Sequence, residues 1–268
     1  MRRPAASRPS SGWIRAVPDL GGSDPAGRRT ELASRLSAVR GRVDAACAAA
    51  GREPSDVQLL PVTKFFPASD VIALVESGAA EFGESREPEA GRKAEEVRAT
   101  TGRGDLRFHM IGQLQRNKAK TVARWADRVH SVDSTKLATA LDRAVGGARE
   151  GGDRDGTLEV LIQIGLDDDE AKGRGGVVEG ELPALADDIE QSANLRLCGL
   201  MVITPLHGSA EAWMAKAAGI HQRFVADHPG AVELSAGMSG DLEIAVEYGS
   251  TCVRVGTAIM GERPVISP

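Results

Sequence analysis

Lys64 is the first residue whose type and position suggest covalent chemistry, because it directly follows the strand-like run Leu-Pro-Val-Thr at residues 60–63. A lysine at the end of a buried strand is partly removed from water, which lowers the pKa of its amine and makes the neutral, nucleophilic form accessible near pH 7. Such an amine could form a Schiff base with an aldehyde. A lysine that simply extends from the strand end into solvent fits this pattern equally well.

Two glycine-bearing segments near the C-terminus could bind an anion. Residues 235–241 (SAGMSGD) and 254–259 (RVGTAI) each run from the end of a predicted strand into a helix start. Helix N-termini present free N–H groups and the positive end of the helix dipole, and α/β barrels often bind phosphate in the loops after strands seven and eight. A reactive lysine facing such loops would suit pyridoxal 5′-phosphate (PLP). Ordinary turn chemistry, with glycine at positive φ and serine as a helix cap, also explains each segment alone.

The elements that must position these residues alternate along the chain. Eight β-rich runs alternate with helical segments, and several runs are continuously apolar, as in strands covered on both faces of a parallel sheet. This rhythm predicts an α/β fold with a single (β/α)8 TIM-type barrel at residues 30–268, with an open doubly wound sheet as the alternative. The predicted strands are 57–63, 81–83, 106–111, 128–132, 158–164, 195–203, 232–235 and 252–255. The predicted helices open at Ala68, Glu87, Asn117, Ser134, Gly180, Ser209 and Gly240.

The ends and insertions of the chain are also predicted from composition. Residues 1–29 are rich in Pro, Ser, Gly and Arg without periodicity, which favours a flexible tail, and Thr30 is the expected cap of the first helix. Residues 146–156 are expected to form a loop insertion. We expect no second domain.

Charge and cysteine usage restrict the class of protein. The 268 residues carry 33 basic and 38 acidic side chains, a net charge of −5 that argues against a nucleic-acid or anionic-membrane binder. No apolar run approaches the ~18 residues of a membrane span. Three widely spaced cysteines predict core thiols rather than disulfides, and the histidines lack the spacing of a metal site. We expect a reduced, cytoplasmic protein without a metal.

Several segments, in chain order, resemble signatures of the pyridoxal phosphate homeostasis proteins. They are PVTK at residues 61–64, FGE at 82–84, FHMIGQLQRNK at 108–118, GLM at 199–201, LSAGMS at 234–239 and VRVGTAIMG at 253–261. The resemblance covers about residues 30–263. It implies a barrel like the N-terminal domain of alanine racemase, with PLP carried on Lys64.

The resemblance also implies which residues contact the cofactor. Ser239, Gly256 and Thr257 would bind the phosphate, and Arg254 would reach the pyridine nitrogen. The complete set of candidate cofactor-binding residues is Lys64, Val62, Ser85, His109, Met201, Met238, Ser239, Arg254, Gly256 and Thr257. His109 ends the third predicted strand, so it either lines the site or is a hydrogen-bonded core histidine.

Two positions depart from the family pattern. Ser85-Arg86 stands where the family usually has Asn-Tyr, and serine lacks the combined donor and acceptor capacity of an amide. Phe108 stands where tryptophan is common, which keeps the packing and removes one N–H donor. The contacts beside the cofactor ring on the Ser85 side are therefore expected to differ.

The chemistry of these residues favours binding over turnover. Arginine has a pKa above ~12 and keeps its proton, so a pyridine nitrogen facing Arg254 would stay unprotonated and the ring would be a poor electron sink. Racemisation needs proton donors on both faces of the substrate carbon. In alanine racemase one donor is a tyrosine from a C-terminal domain that we do not expect here, and the single tyrosine, Tyr248, falls in a predicted helix.

We therefore expect a non-catalytic, monomeric protein that holds PLP as a Schiff base, acts in PLP homeostasis, and passes the cofactor to PLP-dependent apo-enzymes or free amino acids. A PLP-dependent amino-acid racemase or lyase of limited scope is the first alternative. The second is a barrel that binds another phosphorylated small molecule.

Overall fold

Eight parallel strands form one sheet in the computed structural model, which describes residues 24–167 and 175–263. The strands are β1 (Gln58–Pro61), β2 (Glu81–Glu84), β3 (Arg107–Met110), β4 (Arg128–Val132), β5 (Leu158–Ile164), β6 (Leu195–Val202), β7 (Glu233–Ser235) and β8 (Cys252–Val255). Their spatial order is β1-β8-β7-β6-β5-β4-β3-β2. A parallel bridge between Val62 and Gly83 links the ends of β1 and β2, so the sheet nearly closes on itself. The predicted barrel is confirmed and the open sheet is wrong.

Helices follow the strands, as the alternating pattern predicts. They are α1 (Pro25–Ala49), α2 (Ala68–Glu76), α3 (Glu89–Thr101), α4 (Ala119–Trp125), α5 (Thr135–Glu150), α6 (Leu182–Glu190), α7 (Ala210–Asp227), α8 (Leu242–Glu247) and α9 (Thr257–Met260). Short 3-10 turns lie at Pro54–Asp56, Arg116–Lys118 and Glu179–Glu181. In the described ranges no helix combines the length and apolarity needed to cross a bilayer.

The first helix begins earlier than predicted. Asp24, not Thr30, is the N-cap, and its carboxylate accepts hydrogen bonds from the backbone N–H groups of Ala26 and Gly27. An aspartate followed by proline is a strong helix start because the proline lacks the N–H that would otherwise need a partner. Residues 25–29 therefore belong to α1 rather than to a tail, and residues 1–23 lie outside the described ranges.

The predicted loop at 146–156 is also partly helical. Helix α5 continues to Glu150 because Val145 and Ala148 keep its apolar face buried, which outweighs the low helix propensity of Gly146 and Gly147. Only the remainder of that segment is a turn.

The strands present different chemistry on their two faces. Apolar residues such as Phe82, Phe108 and Leu141 are fully buried in the core between the strands and the surrounding helices. The opposite face of β3 and β4 places His109 and His130 inside the barrel, where alternation along each strand requires them to lie. Barrel interiors are usually filled by branched apolar residues, so the two buried histidines depart from the usual pattern.

Gly199 allows β6 and β7 to approach each other closely. Its φ is +154°, and a Cβ atom there would lie 1.9 Å from the carbonyl oxygen of Glu233. The register between β5 and β6 shifts next to it, between Val160 and Leu161. No other residue type fits this position without displacing a strand.

The three cysteines are free and buried, as predicted for core thiols. Burial raises the pKa of the Cys198 and Cys252 thiols to about 11, so both stay protonated and unreactive at neutral pH.

Candidate cofactor site

Lys64 lies at the mouth of the barrel, three residues beyond the end of β1, and is half-buried. Burial lowers the pKa of its amine, and the nearby charges of Arg263 and Arg254 lower it further, against a smaller opposing effect of Glu84. These are the conditions under which a lysine amine becomes a nucleophile near neutral pH.

A buried ion pair fixes the backbone just before Lys64. Glu84 accepts hydrogen bonds from the Thr63 hydroxyl at 2.6 Å and from Lys93 Nζ at 2.7 Å, and Lys93 also donates to the Thr63 carbonyl at 2.9 Å. Burial raises the pKa of Glu84, although Lys93 partly offsets this. The sequence analysis missed Lys93. Lys93 could have been expected because Glu84 ends a buried strand, and a buried carboxylate needs a cation beside it.

Phe65 adopts a left-handed backbone conformation directly after Lys64, with φ of +72°. Such a conformation is unfavourable for a bulky residue and is found where the surrounding structure requires it, often at functional sites. Three cations surround its ring: Lys64 Nζ, Arg86 Cζ and Arg263 Cζ lie 5.9, 5.6 and 4.6 Å from the ring centroid. Arg86, which belongs to one of the two departures from the family pattern, therefore lies against the same ring as Lys64.

The loops after β7 and β8 lie beside the Lys64 loop because β8 pairs with both β1 and β7. The Gly256 backbone faces Val62, and a Cβ atom there would be 3.6 Å from the Val62 Cβ. The Ala258 N–H points at Ser239 Oγ at 3.5 Å, which joins the two glycine-bearing segments. Ser239 is half-buried and Thr257 is exposed, so both remain accessible to a ligand.

Arg254 is a buried cation without a carboxylate partner. Its guanidinium donates to Ser235 Oγ at 2.6 Å and to the Val202 carbonyl at 2.7 Å, and only 5% of the residue is exposed. Burial lowers the pKa of Arg254. Among the described residues no carboxylate lies within 4 Å of it. A buried charge of this kind is costly unless a ligand supplies acceptors or negative charge.

The other candidate residues have differing surroundings. Met201 is fully buried in a small apolar cluster with Leu161 and Cys198. Met238 is 40% exposed, and its N–H donates to the Asp241 carboxylate at 2.6 Å. Ser85 is half-buried at the end of β2.

His109 lies inside the barrel rather than at its mouth. It is fully buried and hydrogen-bonded to Glu81 and His130, as a core histidine would be. His130 and Ser235 extend this network to Arg254. The sequence analysis gave His130 and Ser235 no such role, although each is a polar residue in an otherwise apolar strand.

Comparison with known proteins agrees with this geometry. Residues 35–264 match the family model described as alanine racemase, N-terminal domain. The chain is 44% identical over 247 residues to the pyridoxal phosphate homeostasis protein of Mycobacterium leprae. The aligned region covers 90% of this chain and 96% of that protein. The chain therefore belongs to the pyridoxal phosphate homeostasis protein family.

Solved structures extend the comparison. PipY from Synechococcus elongatus, determined with PLP bound, superposes with a TM-score of 0.70 at 33% identity, covering 86% of this chain and 100% of that one. An alanine racemase from Clostridium difficile gives a TM-score of 0.63 at 15% identity, covering 88% of this chain and 58% of that chain. This second likeness concerns the fold alone.

One departure from the family pattern is accommodated by a close loop contact. A Cβ atom at Gly112 would lie 2.5 Å from the Ser85 carbonyl oxygen, so the loop after β3 packs directly on Ser85. Phe108, the other departure, packs against Phe82 with ring centroids 5.5 Å apart. Its aromatic packing is thus retained.

A group of possible metal ligands occurs away from the barrel mouth. Asp187, Glu190 and His228 offer ligand atoms within 4.8 Å of one another. Asp187 and Glu190 are exposed, and His228 Nδ1 lies 3.1 Å from a Glu190 carboxylate oxygen, as in an ordinary ion pair. The absence of a metal stays a prediction.

Proposed function

We propose that this chain binds PLP as a Schiff base on Lys64 and acts in intracellular PLP homeostasis without catalytic turnover. The observation that carries the proposal is the pairing, at one end of the barrel, of a half-buried lysine of lowered pKa with a buried arginine that has no carboxylate partner among residues 24–167 and 175–263. A ligand with an aldehyde, an acceptor nitrogen and a phosphate matches both groups. The aldehyde suits the Lys64 amine, and the nitrogen suits the Arg254 guanidinium. The site thus fits PLP.

Each candidate residue has a distinct task in this proposal. Lys64 would hold the PLP aldehyde through its amine, which burial and the nearby cations keep accessible in the neutral form. Ser239, Thr257 and the Gly256 backbone bind the phosphate, and Arg254 donates to the pyridine nitrogen. When bound, PLP supplies an electrophilic carbon whose reactivity depends on the protonation of its ring.

Two features support binding over turnover. An arginine at the ring nitrogen keeps the ring neutral, which makes it a weak electron sink. Tyr248, the single tyrosine, ends α8 and packs against the apolar core between the strands and helices. Its phenol is thereby assigned to packing rather than to proton transfer at the substrate carbon.

Borohydride reduction followed by peptide mapping tests the covalent link. We expect the label on Lys64 and its loss in Lys64→Ala. Lys93 is the internal control, because it lies close by but its ammonium is engaged by Glu84 and the Thr63 carbonyl. Label on Lys93 or elsewhere, with Lys64 unmodified, would refute the assignment.

Hydrogen–deuterium exchange at the α-carbon of amino acids tests the absence of turnover. A carrier should give no exchange above that of free PLP, whereas a racemase or lyase of limited scope would exceed it. We further propose that the protein is a cytoplasmic monomer that passes PLP to PLP-dependent apo-enzymes. Reactivation of such an apo-enzyme by the loaded protein, faster than by an equal concentration of free PLP, would support direct transfer.

A further inference from the structure

A continuous chain of hydrogen bonds crosses the barrel interior. Glu81 Oε2 lies 2.8 Å from His109 Nε2, and His109 Nδ1 lies 3.0 Å from His130 Nε2. His130 Nδ1 lies 2.9 Å from Ser235 Oγ, which accepts from Arg254 Nη1 at 2.6 Å. The chain thus joins a carboxylate at the start of β2 to the cation at the mouth of the barrel.

The carboxylate end determines the position of every proton in the chain. An ionised carboxylate only accepts hydrogen bonds, so His109 donates from Nε2 and, being neutral, accepts at Nδ1. His130 therefore donates from Nε2 and accepts at Nδ1. The Ser235 hydroxyl must then donate to His130, which leaves its oxygen lone pairs for Arg254. Every N–H and O–H bond points away from the mouth and toward Glu81.

We propose that Glu81, His109, His130 and Ser235 form a directed relay that positions Arg254 for the cofactor ring and supplies this buried cation with a polarised acceptor. The inference rests on the proposed function for the identity of the ligand. Hydrogen bonds in a chain polarise one another, so the carboxylate at one end makes the Ser235 oxygen at the other end a better acceptor for Arg254. The relay takes the place of a direct carboxylate partner, which the described part of the chain does not provide for Arg254.

The burial of the four groups supports this direction. His109, His130 and Ser235 are 0% exposed, and burial lowers the pKa of both histidines, so they are neutral at pH 7. Burial of Glu81 alone would raise its pKa, but the hydrogen bond from His109, with help from Gln58 and Arg107, brings the pKa to about 2. Glu81 is therefore ionised and acts as the acceptor end.

Nuclear magnetic resonance of the histidine side chains tests the relay in the protein without PLP. Two-bond hydrogen–nitrogen correlations distinguish the two neutral tautomers, and we expect both His109 and His130 to be protonated at Nε2. Glu81→Gln should shift the ring-nitrogen resonances of His130, two links away. Glu233→Gln is the matched control, since it removes a charge at the same end of the barrel from a carboxylate paired with Arg128. A histidine protonated at Nδ1 would overturn the proposal.

Affinity for PLP provides a second readout. Ser235→Ala removes the polarised acceptor, and we expect the dissociation constant to rise about three- to tenfold. Ser250→Ala is the control, because Ser250 is an equally buried serine that bonds backbone carbonyls outside the relay. Unchanged affinity in Ser235→Ala would refute the relay. A wild-type protein that fails to bind PLP would refute the proposed function instead, and the tautomers would still be measurable.

Discussion

Replacing Arg263 should slow the capture of PLP by Lys64. The Arg263 guanidinium and the Lys64 amine both lie against the ring of Phe65, 4.6 and 5.9 Å from its centroid. Burial lowers the pKa of the Lys64 amine most, and the charge of Arg263 lowers it further. Arg263→Gln removes that charge, raises the pKa of Lys64 and reduces the fraction of neutral amine at pH 7.5.

The expected magnitude follows from Coulomb's law. The two cations are no more than about 10 Å apart. At that distance their repulsion is ~0.4 kcal/mol with the dielectric constant of bulk water and ~0.8 kcal/mol with half that dielectric constant. Arg263 is exposed, so we use this range and not the larger values for buried charges. The neutral fraction, and with it the capture rate, should fall about two- to fourfold.

Stopped-flow absorbance of Schiff-base formation, recorded from pH 7 to pH 11, measures this effect. The rate should rise with pH until the amine is fully neutral and then level off, so wild type and Arg263→Gln should converge at high pH. Pyridoxal, which lacks the phosphate, should give the same pH-dependent gap. Arg86→Gln is the matched control, because Arg86 also contacts Phe65, whereas the charges that lower the pKa of the Lys64 amine most are those of Arg263 and Arg254.

The result that would refute this reasoning is a gap that persists unchanged at high pH, or one that vanishes with pyridoxal. Either result would show that Arg263 attracts the phosphate and does not act on the amine. An equal effect of Arg86→Gln would show that any cation near Phe65 suffices.

Three further predictions concern other parts of the barrel. Gly199→Ala should lower the free energy of unfolding by more than about 3 kcal/mol, because its Cβ would overlap the Glu233 carbonyl. Gly219→Ala in α7 is the control and should raise the free energy of unfolding by up to about 1 kcal/mol. Urea denaturation measures both. Glu81 has a pKa of about 2 in the folded protein and an ordinary value of 4.5, so it stabilises the fold above pH 4.5 and this stabilisation is lost as the pH falls toward 2. The full stabilisation is at most about 3 kcal/mol. Denaturation at pH 7 and pH 3.5 should therefore show a smaller loss of stability at the lower pH in Glu81→Gln than in wild type. Ser239→Ala should raise the dissociation constant of PLP about tenfold and leave pyridoxal binding nearly unchanged in the same titration, and an equal loss for both aldehydes would remove Ser239 from the phosphate site.

The strand pattern was predictable from sequence because several strands are apolar runs and all of them alternate with helical segments. β4, β5 and β8 have the predicted bounds, and the others differ by one to three residues at their ends. The start of α1 was wrong because composition was weighed over the local Asp24-Pro25 signal. Helix α5 ran past two glycines because its buried face continued to Ala148. The local N-cap at Asp24 accounts for the first difference, and the buried face of α5 accounts for the second.

The site was only partly predictable. Lys64 and the loops at Ser239 and Gly256 could be placed because strand ends of a parallel barrel meet at one face. The relay could not, because hydrogen bonds between strands depend on register, which a single sequence does not contain. His109 illustrates this: its strand position was correct, but only its pairing with His130 reveals that it points into the interior.

On the proposed function, the separation of an apolar core outside the strands from a polar barrel interior lets one set of residues bind PLP and restrain its reactivity. The apolar core outside the strands, which includes Phe82 and Phe108, supplies the stability, so the interior is free to hold polar groups. Arg254 is held there by Ser235, which is in turn bonded to His130, and by the Val202 carbonyl. A ring nitrogen bound to such an arginine receives a hydrogen bond but no proton, and the relay behind it cannot deliver one without reversing every link. In the proposed function, the binding of the ring and its weak electron withdrawal are therefore consequences of the same arrangement.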